Sequence, residues 1–234
     1  MSNANVSVQI RTKDSVGGQK IVFYTPARNK RVGVVNGAEL DSTGNPPVGG
    51  KIYMGDFGYY NPSTGKVKHL NTFKLAKELL ATDTDVYFYG GDFDHLLKSG
   101  MVLMVAPATN ATTGLASAIS NVEVTTLTGV DGNVYKGTIV AAALSASTVA
   151  VNTIFVEAAA AGSGKLPLLP TINCIFAFDT DIYYDYSTSI DDWGKAVYTV
   201  GLYYHETLYK KSVNIPPYVE LLNKLSNNDS LFEL

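Results

Sequence analysis

The chain has 234 residues, of which 46% are hydrophobic and 17% charged, and its formal net charge is −3 at pH 7. The charged fraction is below the roughly 25% usual for soluble domains, and the chain lacks the basic excess of a nucleic-acid-binding domain. Its single cysteine, Cys174, excludes an intramolecular disulfide and therefore a small disulfide-stapled secreted scaffold.

Short apolar runs and turn residues dominate the first 70 residues. Residues 6–10 alternate between apolar and polar side chains, which predicts a strand, and residues 31–35 form a second apolar run. The turn-forming segment 61–65 separates Tyr59-Tyr60 from Val67. This arrangement predicts a β-hairpin.

Two segments carry helical patterns. Residues 72–81 follow Asn71, a plausible N-cap, and contain a leucine stripe at positions 75, 79 and 80, which predicts an internal helix. Residues 218–226 follow Pro216-Pro217 and place apolar side chains on one face. This pattern predicts a C-terminal helix.

The composition changes in the middle of the chain, where residues 98–165 are rich in Ala, Val, Thr, Ser and Gly and poor in charge. Asp131-Gly132 lies between two apolar runs and predicts a hairpin turn. Residues 137–156 contain no charge, but their bulky residues recur at strand spacing, so we expect sheet core rather than a membrane span.

These patterns predict a mainly β (α+β) protein built from β-sandwich or barrel-like modules, with one internal helix and one C-terminal helix. Further strands are expected within residues 86–89, 101–105, 172–178 and 197–204. We expect residues 1–97 and 170–234 to form a main β-rich domain. Residues 98–169 are expected to form a low-charge β module that could be inserted between its two halves.

Patterns typical of catalytic or metal sites are incomplete. Gly164-Lys165 lacks the preceding glycine and the following Ser or Thr of a phosphate-binding loop. Asp179, Asp181 and Asp185 form an acidic cluster that could attract calcium, but tyrosines occupy the next expected ligand and glycine positions. A solvated acidic edge is favoured, and cation binding by these three residues stays open.

Histidine and cysteine give no complete motif either. Asp92, Asp94 and His95 lie in one glycine-flanked loop and could hold a metal, but such groupings are common by chance. The three histidines, at positions 69, 95 and 205, lack paired metal-ligand spacing. Cys174 lies in an apolar run, which favours a buried, inert thiol. We therefore expect no catalytic site, no metal and no cofactor.

Tyrosine and charge patterns indicate candidate interfaces. Tyr183, Tyr184 and Tyr186 alternate with acidic residues, and such tyrosines suit strand packing, a protein interface or a sugar-binding face. Residues 1–70 carry a net charge of +5 and the remainder −8, with Arg28, Lys30 and Arg31 clustered. A basic edge and an acidic edge on one chain favour contact with a second copy or another subunit.

Three stretches of the middle block carry a family resemblance: residues 97–103, residues 135–140 and the alanine-rich run that ends at Gly164. Together they resemble the small β modules of tailed-bacteriophage virion proteins of the capsid decoration, or auxiliary capsid, type. The resemblance covers about a third of the chain. It implies a non-enzymatic protein that binds the capsid surface, acts as an oligomer and contacts other virion subunits, with no membrane partner.

The expected function is therefore decoration or stabilisation of a phage capsid. Two alternatives stay open at this level. One is a carbohydrate-binding or adhesin-like β module that uses the tyrosine clusters. The other is a different virion component, such as a head-fibre base, a tail protein or a connector.

Overall fold

The computed structural model describes residues 30–36, 44, 46–109, 111–140, 144–169, 172–182 and 197–203. Regular structure within these ranges is entirely β-strand. The strands are β1 (Lys30–Asn36), β2 (Lys51–Ile52), β3 (Phe57–Tyr60), β4 (Val67–His69), β5 (Thr72–Lys74), β6 (Asp85–Tyr89), β7 (Val102–Val105), β8 (Gly114–Thr126), β9 (Asn133–Ile139), β10 (Ile154–Glu157), β11 (Gly162–Lys165), β12 (Cys174–Phe176), β13 (Thr180–Asp181) and β14 (Val197–Tyr203). No helix in these ranges is long and apolar enough to cross a membrane.

The strands form two main antiparallel sheets. The five-stranded sheet has the order β1-β14-β12-β3-β4. The seven-stranded sheet has the order β5-β10-β7-β8-β9-β6, with β11 also paired to β8. A short β13-β2 pair completes the described strands. The expectation of a mainly β protein is confirmed.

The two main sheets share one buried core. Phe57 and Ile175 of the five-stranded sheet pack in one cluster with Met104, Ala116 and Val156 of the seven-stranded sheet. A shared core of this kind buries the apolar face of each sheet against the other.

Both sequence-predicted hairpins are present. Tyr60 pairs with Val67 across the turn at residues 61–65. Val124 pairs with Tyr135 across a loop that contains Asp131-Gly132, where Gly132 has a φ of 86°. Because turn-forming residues lie between the paired runs in both cases, local chemistry was enough to predict both connections.

The predicted internal helix at residues 72–81 is wrong. Thr72–Lys74 forms β5, and Leu75 and Leu79 then make isolated bridges to Phe88 and Val149. Their backbone N–H groups donate to distant carbonyls, from Leu75 to Thr153 O at 2.9 Å and from Leu79 to Val149 O at 3.0 Å. Leucines three to five residues apart suit a helix, but here neighbouring strands bury Leu75 and Leu79 while Leu80 stays exposed.

Other predictions are not tested by the described residues. The strand at residues 6–10 and the C-terminal helix at residues 218–226 lie outside the described residues. The division into residues 1–97 plus 170–234 and residues 98–169 stays a prediction. The seven-stranded sheet draws β5 and β6 from before residue 98 and its other strands from after it.

Candidate functional site

A cluster of polar side chains lies where the two sheets meet. Asp56 directly precedes β3, His69 ends β4, and His95 lies in the loop after β6. One ligand-type atom from each of the three residues lies within 4.8 Å of those of the other two. Within the described ranges this is the group of His, Cys, Asp or Glu side chains whose spacing would suit a metal ion. We call it the Asp-His-His cluster.

A tight turn presents the Asp56 carboxylate to the cluster. The N–H of Asp56 donates to Tyr53 O at 3.0 Å, and Gly55 has a φ of 91°. This is the turn position at which glycine is favoured because side chains strain the backbone there. The N–H of Tyr53 donates in return to Asp56 Oδ2 at 2.7 Å. The turn therefore fixes Oδ2 in place before the histidines are considered.

Both imidazole rings converge on that same carboxylate oxygen. His69 Nε2 lies 3.0 Å from Asp56 Oδ2, and His95 Nε2 lies 2.9 Å from it. The ring centroids of His69 and His95 are 4.7 Å apart in an edge-to-face arrangement. Asp56 Oδ2 is thus the hub of the cluster, with contacts to one backbone N–H and two ring nitrogens.

A buried chain of hydrogen bonds through Asn71 and Glu157 fixes the Nδ1 side of the His69 ring. Asn71 Nδ2 donates to Glu157 Oε2 at 2.7 Å, which directs Asn71 Oδ1 to His69 Nδ1 at 2.9 Å. An amide oxygen only accepts hydrogen bonds, so Nδ1 carries the proton of the neutral ring. The lone pair of His69 Nε2 then faces the Asp56 carboxylate.

His95 has the opposite tautomer. The N–H of Thr72 donates to His95 Nδ1 at 2.8 Å, so in the neutral ring the proton lies on Nε2. That Nε2–H donates to Asp56 Oδ2 at 2.9 Å. The carbonyl oxygen of Thr72 also lies 3.1 Å from Nδ1 and its hydroxyl oxygen 3.2 Å from it. These two oxygens could accept a proton if Nδ1 carried one.

Burial and charge set the protonation states. Burial alone would raise the pKa of Asp56, but His95 and His69 outweigh it and hold that pKa well below its usual value of 3.8. Burial lowers the pKa of His69 below its usual 6.5, although the hydrogen bond that the protonated ring would donate to Asp56 opposes this shift. At neutral pH the cluster therefore combines an ionised carboxylate with a neutral His69 ring.

Aromatic side chains enclose the cluster. The ring of Tyr53 stacks on His95 at 5.9 Å between centroids, and Phe176 lies edge-to-face against His69 at 5.4 Å. The exposed fractions of the side chains are 1% for His69, 4% for His95 and 11% for Asp56. Both imidazole rings are therefore buried, and Asp56 is the most exposed of the three side chains.

The structure does not bring Asp92, Asp94 and His95 together as one metal site. Of Asp92, Asp94 and His95, only His95 joins the cluster, and the Asp94 carboxylate instead accepts the N–H of Gly91 at 3.0 Å. Lys51 Nζ lies 3.2 Å from Asp181 and 3.8 Å from Asp179. Asp185 lies outside the described residues, so cation binding by that acidic group stays open.

The thiol of Cys174 matches its prediction. It is buried and unoxidised in strand β12, and burial raises its pKa to about 12. A thiol that stays protonated at neutral pH is a poor nucleophile. The predicted burial of Cys174 is confirmed, and its inertness stays a prediction.

The predicted interface residues lie mostly outside the described part of the chain. Arg28, Tyr183, Tyr184 and Tyr186 are not described. Lys30 and Arg31 begin β1, where they pair with Tyr203 and Leu202 of β14, but the structure describes only their backbone. The interface assignment stays a prediction.

Sequence reasoning missed the cluster, above all Asp56, Asn71 and Glu157. The two histidines are 26 residues apart, and Asp56 follows a short strand with no recognisable ligand spacing. One local signal was present: Glu157 ends the apolar run of β10 inside a block almost without charge. A carboxylate in such a place needs buried partners.

Comparison with protein-family models, curated proteins and solved structures finds no match for this chain.

Glu157 makes stability depend on pH. Burial raises its pKa to about 6, although hydrogen bonds from Asn71 and Gly44 oppose the shift. In the unfolded chain this carboxyl ionises near its ordinary value of 4.5. As pH rises from about 4.5 to 6 the unfolded state loses its proton first, so this group lowers the free energy of unfolding by about 2 kcal/mol.

We expect Glu157→Gln to remove this loss. Compared with wild type, the variant should gain about 1–2 kcal/mol in unfolding free energy at pH 7 relative to pH 4. Urea unfolding followed by circular dichroism at both pH values measures the difference. Glu78→Gln, at an exposed carboxylate, is the matched control. Equal pH profiles for Glu157→Gln and wild type would contradict the prediction.

Proposed function

We propose that this chain is a non-enzymatic virion structural protein that decorates or stabilises the capsid of a tailed phage. In this proposal it lies on the capsid surface, forms homo-oligomers and contacts other virion subunits through its β surface. The same proposal includes the arrangement of its sheets as β-sandwich or barrel-like modules. The observation that carries it is the exposed outer half of strand β8.

The outer half of β8 has one strand edge that no described strand covers. β7 pairs with β8 only as far as Ala118, whereas β9 pairs with β8 out to Thr126. The register shifts between Ser120 and Glu123, and Asn121 has a φ of 49°. Such a bulge bends the strand away from its neighbour. Residues 121–126 therefore form an edge within the described part of the chain.

On this edge Val122 and Val124 alternate with polar side chains, and Glu123 is its one charged residue. Val124 has an exposed fraction of 62%, and residues 114–140 contain only three charged side chains in 27. Two of these three, Glu123 and Lys136, pair with each other at 3.6 Å. Exposed strand edges readily pair with another chain unless charge, proline or a covering segment protects them. In an assembly, such an edge can pair with a strand of a neighbouring subunit.

A repeated lattice would strengthen such contacts. An interface that is weak for one subunit becomes effective when many copies bind neighbouring positions. The basic residues 1–70 and the acidic remainder would add charge complementarity between subunits. The low-charge β surface and the uneven distribution of charge along the chain thus both support assembly with other subunits.

The test combines oligomeric mass with capsid binding. Size-exclusion chromatography with light scattering at two protein concentrations should give a trimer or larger assembly. The protein should co-sediment at micromolar concentration with capsids of its encoding phage prepared without it. Failure to bind those capsids would overturn the proposal, whatever the mass in solution.

We expect Val124→Lys to weaken capsid binding at least tenfold, because a charged side chain replaces an exposed apolar one at the uncovered edge. Val151→Lys, at an exposed valine in the turn before β10, is the matched control and should bind as wild type does. Equal binding by both variants would remove the edge of β8 from the interface. Circular dichroism establishes that both variants fold.

A further inference from the structure

We propose that the Asp-His-His cluster binds one divalent transition-metal ion of the zinc class, which holds the two sheets together. This inference does not depend on the capsid function. Failure to bind zinc would leave capsid binding unaffected, and the reverse also holds.

The ligand atoms have nearly the spacing of a coordination shell. Bonds of about 2.0–2.1 Å to His nitrogen and carboxylate oxygen, at tetrahedral to right angles, place neighbouring ligands about 2.9–3.4 Å apart. The two nitrogen–oxygen distances to Asp56 Oδ2 are 2.9 and 3.0 Å. Ligand-type atoms of the three residues lie within 4.8 Å of one another, so metal binding would draw the two rings together until their nitrogens have this spacing.

His69 is already in the state that a metal requires. Its proton is held on Nδ1 by Asn71, so the Nε2 lone pair faces the ionised Asp56 carboxylate at 3.0 Å. Two electron-rich atoms at this distance repel each other unless a cation lies between them. A metal ion accepts both electron pairs and removes the repulsion.

His95 must change its tautomer, which breaks the hydrogen bond from the Thr72 N–H to Nδ1. Metal binding displaces the proton from Nε2, and the neutral ring then carries it on Nδ1. Thr72 O, 3.1 Å away, can accept that proton, since metal-bound histidines commonly donate their other N–H to a backbone carbonyl.

The chemistry of the ligands selects the class of metal. Imidazole nitrogens suit zinc, copper, iron and nickel, whereas magnesium and calcium prefer shells made entirely of oxygen. Two histidines and one carboxylate leave a fourth position for water in a tetrahedral shell. Asp56 is the most exposed of the three side chains, so water can approach from its side.

Asn71 and Glu157 form the supporting layer. Asn71 orients His69, and Glu157 accepts from Asn71 Nδ2 at 2.7 Å and from the N–H of Gly44 at 3.2 Å. Such partners fix the orientation of a ligand ring, and their loss typically weakens metal affinity 10–100-fold. They also link β4 to β10, so the bound ion would connect both sheets.

Zinc titration of chelator-stripped protein, in competition with a chromophoric chelator, tests the proposal. Wild type should bind one zinc ion per chain, and millimolar magnesium or calcium should not displace it. Asp56→Asn and His69→Gln should each weaken binding more than 100-fold, and Asn71→Ala about 10–100-fold. Asp85→Asn, at a carboxylate outside the cluster, should bind as wild type does.

Nitrogen NMR of the imidazole rings supplies a second measurement that a purely structural cluster would not change. Zinc should move the proton of His95 from Nε2 to Nδ1 and leave that of His69 on Nδ1. Less than one tightly bound zinc per chain, unchanged ring resonances, or wild-type affinity in folded Asp56→Asn would overturn the proposal. Because Asn71→Ala removes no ligand, it tests the site even if the other variants do not fold.

Discussion

Replacing Asp56 with Ala is expected to lower the free energy of unfolding by about 2–6 kcal/mol in the presence of a chelator. The substitution removes the acceptor of the Tyr53 N–H and of the His95 Nε2–H, which contact Asp56 Oδ2 at 2.7 and 2.9 Å. Each buried donor left without an acceptor costs about 1–3 kcal/mol. Urea unfolding followed by circular dichroism measures the loss, and the chelator excludes any contribution from metal.

Two further variants distinguish the specific role of Asp56 from the general effect of losing a carboxylate. Asp56→Asn keeps an oxygen that can accept both hydrogen bonds, so it should lose less than half as much stability as Asp56→Ala. Asp85→Ala removes a carboxylate that pairs with Lys136 at 3.4 Å near the surface, and it should cost at most about 1 kcal/mol. Equal losses in Asp56→Ala and Asp85→Ala would contradict the role of Asp56.

The sequence predicted the fold best where local chemistry decides the structure. Asp131-Gly132 and the turn at residues 61–65 mark hairpins because their residues favour particular backbone conformations. Residues 72–81 show the opposite case. Asn71 has the local features of a helix cap, yet its side chain contacts His69 and Glu157. Partners far along the chain determined the structure there.

The Asp-His-His cluster could not be predicted from spacing. His69 and His95 belong to segments that meet only because β4 and β5 lie in different sheets, with Asn71 between them. Motif spacing is informative when one helix or one loop supplies the ligands, but here one strand and two separate connections supply them. The detectable features were single polar residues beside apolar strands, which indicate buried partners without identifying them.

The aromatic cluster around Phe88 has the same non-local origin. Phe88 lies in the middle of β6, and its ring contacts Phe73 of β5 at 5.8 Å and Phe155 of β10 at 5.2 Å between centroids. All three side chains are buried in one core. Phe88 thereby joins the β8-β9-β6 end of the seven-stranded sheet to its β5-β10 end.

We expect Phe88→Ala to lower the free energy of unfolding by about 3–5 kcal/mol, because removing a buried ring loses apolar burial and leaves a cavity. Phe178→Ala is the matched control: the exposed fraction of Phe178 is 49%, so its loss should be under about 1 kcal/mol. Urea unfolding of both variants, followed by circular dichroism and by tyrosine fluorescence, measures the two losses. A cost for Phe88→Ala no greater than that for Phe178→Ala would show that β6 does not pack on β5 and β10 as described. The larger loss would instead support the packing of this ring between Phe73 and Phe155.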